Sequence, residues 1–209
     1  MLFTALGTNS LAFIAMIMAL VYAITIHEFS HALAATWQGD PTARYQGRLS
    51  LNPLAHLDLL GSIMLLLAGF GWGKPVPVNP YNMRWQRWGE AAVSIAGPIS
   101  NFISVVLFIL IFKLTGPYLL PTNLLYIFLI SLILTNLILG IFNLIPLPPL
   151  DGSKILFAAL PSGFEKLKQQ LTVNGPWILL ALIMVDNFST INIFGKIFDF
   201  FINFISRFL

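Results

Sequence analysis

The chain has 209 residues, 57% of them hydrophobic and 9% charged, with a mean hydropathy of +0.85. Soluble domains carry about 25% charged residues, so this deficit points to an integral membrane protein, read as one membrane domain over residues 1–209 without a sizeable soluble module. The net charge of +3 is scattered through loops, which argues against a nucleic-acid partner, and the lack of cysteine excludes disulfides and thiolate ligands.

The first apolar run, Ser10 to Ala35, is long enough to cross a hydrocarbon core of about 30 Å. No basic stretch precedes it, so it reads as a span and not as a cleavable signal peptide. Trp37 marks an interface, and Gly39, Asp40 and Pro41 stop the helix. After a polar stretch over 38–58 comes LLGSIMLLLAGFGWG, residues 59–73, whose apolar part is too short for an ordinary span and suits a re-entrant or interfacial segment. KPVPVNPYN, residues 74–82, is proline-rich and reads as a short strand or extended loop.

Ala91 to Phe112 is the second span, interrupted near its start by Gly97 and Pro98, which point to a kink or a close helix contact. Thr122 to Ile145 is the third. NLIPLPPLDG, residues 143–152, breaks the chain with three prolines before a short helix over Ile155 to Leu160, and Pro176 to Val185 is apolar but short. From Ile191 to Phe208, Asn192, Lys196, Asp199, Asn203 and Arg207 form one polar stripe at helical spacing, for which a helix in the membrane interface is the preferred reading. The expected fold is thus an all-α polytopic membrane protein. Three core transmembrane helices carry the site, a re-entrant or extended segment occupies 59–80, and membrane or interfacial helices close the chain. Arg44, Arg48, Lys74, Arg84, Arg87, Lys154, Lys166 and Lys168 gather on one side of this arrangement and Lys113 stands near the other, so the positive-inside rule places the loops after the first and third spans in the cytoplasm.

Within the first span lies ITIHEFSHALAA, residues 24–35. On a helix His27 and His31 are four apart and point the same way, the spacing that clamps one Zn²⁺ between two imidazoles. Glu28 is then placed to act as a base on a water whose pKa the metal lowers toward about 7. Each ionisable group inside a bilayer costs about 2.5–3.5 kcal/mol or more unless paired, so three on neighbouring positions require a compensating centre. Counted back from Trp37, His31 lies about 9 Å and His27 about 15 Å deep, below the headgroups yet within reach of a water-filled cavity.

Two histidines leave zinc underligated, because a catalytic site usually has three protein ligands. Asp151 in PLPPLDGSK follows a span that ends on the same side, but Asp before Gly-Ser is also an ordinary helix N-cap. His56 is the remaining histidine and reads first as a loop residue.

HExxH in one membrane helix, AGPxxN opening the next and NxxPxxPLDG after a third resemble the site-2 protease family of intramembrane metalloproteases, over residues 20–160. The resemblance implies one zinc per chain held by His27, His31 and Asp151, Glu28 as the base, and hydrolysis of a peptide bond in or near a transmembrane segment. It also implies a single-pass membrane protein as substrate, such as an anti-sigma factor or a signal-peptide remnant, and a bacterial inner membrane with the site toward the cytoplasm. Ser30 stands where the family often has glycine. The extra N-terminal helix, PDZ and CBS modules of some members are missing, so the chain looks like the compact bacterial branch.

A peptide bond in a helix is shielded, and such a protease must open its substrate locally. In Lys74-Pro75-Val76-Pro77-Val78 the prolines lack N–H groups on one edge while Val76 and Val78 keep theirs, so the segment is a candidate for pairing with an unwound substrate or, equally, a stiff loop shaping the rim. Asn143 is a candidate for holding substrate or the oxyanion, or for an interhelical bond. Asn101 is a weaker candidate for the same role, with a structural hydrogen bond preferred. Two other classes compete. A zinc transporter would spread its ligands along a path across the bilayer, whereas these cluster at one depth. An inactive helix-binding scaffold has no use for Glu28.

Overall fold

A computed structural model describes residues 10–68, 71–188 and 192–209. The expectations for the N-terminal leader, for positions 69–70 of the re-entrant segment and for Ile191 lie outside the described residues. The chain is all-α among them, in the order α1 (Ser10–Trp37), α2 (Thr42–Tyr45), α3 (Leu59–Ala68), α4 (Gln86–Thr115), α5 (Leu124–Asn143), α6 (Asp151–Ala159), α7 (Glu165–Phe188) and α8 (Ile193–Ser206). Three helical stretches are long and apolar enough to cross a membrane: Ser10–Trp37, Gln86–Tyr118 and Leu124–Asn143.

α1, α4 and α5 pack against one another as the core bundle. The contact face of α1 is set by its sequence. Ala15, Ala19, Ala23, His27, His31 and Ala35 recur at intervals of four and are all buried. Small residues along one ridge let neighbouring backbones approach closely, which in lipid is the main source of helix association. The hydroxyls of Thr25, Ser30 and Thr36 donate back to the carbonyls of Val21, Ile26 and Ala32 at 2.6, 2.7 and 2.8 Å. These polar groups are satisfied within the helix and make no claim on the bundle.

Larger side chains join α4 and α5: Val105, Phe112, Leu129, Ile133, Leu137 and Ile141 form one buried cluster. Phe198, Ile202 and Ile205 of α8 pack on that cluster, Phe194 stands beside Phe142, and Phe208 stands near Lys113. α8 therefore runs along the bundle from the end of α5 to the end of α4, packed on protein by its apolar face, a contact that the sequence does not announce. Its polar stripe is real and stays exposed at Lys196, Asp199 and Asn203, but the opposite apolar face docks onto protein. A second difference is α7, which is continuous from Glu165 through Pro176 to Phe188, where the sequence suggests a wet stretch and a separate short apolar one. Pro98 is likewise accommodated inside α4, which starts at Gln86 and not at Ala91.

α1 ends at Gly39, whose φ of +102° suits glycine, and the chain then turns on a buried carboxylate. Asp40 accepts hydrogen bonds from Thr42 N (3.1 Å), Thr42 Oγ1 (2.5 Å), Asn79 N (2.6 Å) and Asn82 Nδ2 (3.1 Å). It ties the exit of α1 to the segment that precedes α4. Burial alone would raise the Asp40 pKa, but these donors hold it below 3.8. The resulting stabilisation is present above the unfolded carboxylate value and is lost as pH falls through the lower folded value. Asp40→Ala is expected to lower stability by about 1–3 kcal/mol near neutral pH through the donors it strands. Thermal melting in detergent should show the gap between wild type and variant closing as pH is taken from about 4 toward 2.

Candidate metal centre

α1 presents His27 and His31 side by side, with ring centroids 4.6 Å apart. Each ring is fixed through Nδ1. His27 Nδ1 lies 2.6 Å from Asn101 Oδ1, and His31 Nδ1 lies 2.8 Å from the Val93 carbonyl oxygen, both on α4. The orientation of Asn101 is itself determined, because its Nδ2 donates to Ala23 O (3.2 Å) and Asn136 Oδ1 (2.9 Å). Asn136 in turn donates to Leu132 O at 2.8 Å. Both Nδ1 atoms thus face pure acceptors and must carry the ring proton, which leaves each neutral imidazole with its lone pair on Nε2.

The two Nε2 atoms converge on Asp151. Its Oδ2 is 3.0 Å from His27 Nε2 and 3.3 Å from His31 Nε2. Asp151 is the first residue of α6 and is not its N-cap, a position held by Leu150. The carboxylate is therefore free of a capping role and turns into the bundle. Gly152 permits this placement, since a Cβ there would come within 2.2 Å of the Leu144 carbonyl oxygen at the end of α5. An ionised carboxylate facing two imidazole lone pairs demands positive charge between them, and one divalent cation meets all three. Tetrahedral zinc with bonds of about 2.0–2.1 Å separates its ligand atoms by about 3.3 Å, close to the spacings found here. His27, His31 and Asp151 are also the group among the described residues whose ligand atoms all lie within 4.8 Å of one another.

The other sequence candidates fall as follows. Glu28 is half-buried beside Gly73, where a Cβ would stand 3.6 Å from Glu28 Oε1. His56 is fully buried, with Nε2 donating to Ser50 O at 2.6 Å, and it does not join the metal-ligand group. Asn143 donates to Leu139 O at 3.0 Å within its own helix, so it is no interhelical staple. That part belongs to Asn136, which the sequence reading passed over although it is a lone amide amid the apolar run SLILTNLILG. Asn101 is fully buried with both ends of its amide engaged. Val76 and Val78 are half-buried in a segment that forms neither helix nor turn, and among the described residues their N–H groups have no partner. Val78 packs its side chain on Ala35, Met83 and Val93.

α4 can approach the histidines this closely because residue 97 has no side chain. A Cβ on Gly97 would stand 2.6 Å from His27 Cε1 and equally near His31 Cε1 and Nε2. Both rings are pinned through Nδ1 and cannot yield easily. Gly97→Ala is expected to cost at least about tenfold in zinc affinity. Metal analysis of the purified variant, set beside an unchanged helical circular dichroism signal, checks this.

Comparison with known proteins places the chain among zinc metalloproteases by similarity. A model of Peptidase family M50 matches residues 120–185. The chain is 37% identical over 204 residues to "Putative zinc metalloprotease YwhC" of Bacillus subtilis, an alignment covering 88% of this chain and 92% of that one. It is 34% identical over 148 residues to a protein of Mycolicibacterium smegmatis carrying the same descriptor and the name Rip2, covering 67% and 55% of the two chains. It is 27% identical over 177 residues to zinc metalloprotease MJ0392 of Methanocaldococcus jannaschii, covering 85% and 43%. No solved structure matches. With a relative of such identity aligned over nearly its whole length, the chain belongs to peptidase family M50, the site-2 proteases.

Proposed function

We propose that this protein is an intramembrane zinc endopeptidase that hydrolyses a peptide bond within or near the transmembrane segment of a single-pass membrane protein. The observation that carries the reading is the convergence of His27, His31 and Asp151, with Glu28 one residue along the same helix. One zinc per chain would be held by His27, His31 and the Asp151 carboxylate. When bound, it supplies a Lewis acid that polarises the scissile carbonyl and makes a water acidic near neutral pH.

The protein's residues do the rest. Asn101 and the Val93 carbonyl keep the imidazoles in the metal-binding tautomer, the outer-shell arrangement that commonly tunes such ligands. Glu28 takes the proton of the attacking water and delivers it to the leaving amine. The segment Lys74–Val78 starts next to Gly73, which lies against Glu28, so a substrate strand paired with Val76 and Val78 passes the base. Asn143, part-exposed at the end of α5, is the candidate amide for the oxyanion. Its Nδ2 must leave the Leu139 carbonyl to serve. The cationic loops at the site end of the bundle support a cytoplasmic orientation of that end, in a bacterial inner membrane.

Glu28→Gln is expected to retain about one zinc per chain and to lose proteolysis by at least about 10²-fold, since general base catalysis contributes on that scale. Unchanged cleavage by this variant refutes the mechanism. Val76→Pro removes one backbone donor from the proposed docking strand and is expected to abolish cleavage at full zinc occupancy, measured by gel assay and metal analysis on the same preparation. Normal cleavage by it would end the strand-pairing idea.

A further inference from the structure

Arg48 lies outside the metal centre and is only 4% exposed. A guanidinium so buried is costly unless its charge and donors are used. Here two of its nitrogens hold consecutive backbone carbonyls: one donates to Pro75 O at 2.9 Å, the other to Lys74 O. Its Nε–H has no partner. No ion pair to Arg48 is formed among the described residues, so its guanidinium is held by backbone carbonyls.

The surroundings explain what this anchor is for. Residues 56–57 pair with 73–74 through the bridge between Leu57 and Gly73 and the bond from Lys74 N to His56 O at 2.8 Å. That pairing stops at Lys74. Arg48 takes the chain over at the next two carbonyls, and Asp40 takes it again at Asn79 N. Between these two side-chain anchors the backbone groups of Val76 and Val78 are left without partners among the described residues. An extended segment free over several residues would ordinarily sample many conformations, and ordering it on binding costs conformational entropy. Held at both ends, it is ordered before any ligand arrives.

We propose that Arg48 is a positioning residue, whose buried guanidinium fixes the Lys74–Val78 segment alongside Glu28 as a preformed docking strand for the substrate backbone. This rests on the protease reading above. Removing the anchor makes substrate binding pay the ordering entropy, so the loss falls on KM. A merely structural residue behaves otherwise: its loss lowers the fraction of folded enzyme, which reduces apparent kcat and leaves KM unchanged.

The probe is a quenched-fluorescent peptide with a single apolar helix of about 20 residues interrupted by Asn-Gly, in detergent micelles. Arg48→Met is expected to keep its zinc, to raise KM about tenfold and to change kcat less than about threefold. Arg48→Lys, which keeps a charged donor without the planar fork, should fall between wild type and Arg48→Met. Unchanged KM in both variants, or a loss confined to kcat, overturns the proposal. Should Arg48→Met fail to hold zinc, the KM of Arg48→Lys decides alone. A second readout needs no hydrolysis. The chain has no cysteine, so Val76→Cys in a Glu28→Gln background can be cross-linked to a probe with one cysteine beside its Asn-Gly. Cross-linking that is lost on adding Arg48→Met supports the proposal, and cross-linking that is equal with and without Arg48, or absent from both, overturns it. A wild-type chain that binds zinc and whose Val76→Cys form cross-links the probe, yet never cleaves it, sinks the protease reading and leaves the role of Arg48 standing.

Discussion

Two imidazoles and a carboxylate share a space about 3 Å across in the interior of an apolar bundle. Without positive charge between them, that arrangement is a concentration of lone pairs in a low-dielectric setting, among the most unfavourable a membrane helix could contain. The rest of the bundle makes sense as a means of holding it. The alanines above and below the histidines on α1 let α4 come close. The missing side chain at Gly97 lets it come closer still, and Asn101 and the Val93 carbonyl then fix each ring by the nitrogen that faces away from Asp151. One constraint, two Nε2 atoms aimed at one carboxylate oxygen, accounts for the small ridge of α1, the amide pair Asn101–Asn136 and the tight turn at Gly152.

The second organising feature is a polar layer at the end of α1. It is built on two buried charged side chains, Asp40 and Arg48, that each bond to the backbone of the Lys74–Asn79 stretch and not to each other. Asp40 collects donors and Arg48 collects acceptors. Together they shape a proline-rich stretch that has no secondary structure of its own to stabilise it. Under the proposed function this suits a site that receives an unwound peptide, because a ready strand needs unpaired backbone and unpaired backbone needs outside support.

The metal centre and the polar layer meet at Glu28. Its carboxylate stands on the same helix as the two histidines and against Gly73, where the extended segment begins. In the proposed reading, a backbone docked on this segment and the Glu28 carboxylate are both positioned relative to one helix, α1.

Much of this was legible in the chain alone. The three spans, the shared face of His27 and His31, and Glu28 beside them follow from the 1.5 Å rise and 3.6-residue turn of a helix, which any local window of sequence carries. The residues around Asp151 by themselves leave two readings, ligand or N-cap, and the family resemblance points to the ligand. Its placement at the first helical position, 124 residues from His27 and facing both rings, depends on how α5 delivers the chain past Leu144. The Nδ1 partners, the Asn136 bond, the docking of α8 on the bundle and the burial of Arg48 are likewise decisions of packing. Helical periodicity says which residues share a face, and a face does not name its neighbour; that is settled only when small residues, amides and buried charges from distant segments find the one arrangement in which all are satisfied.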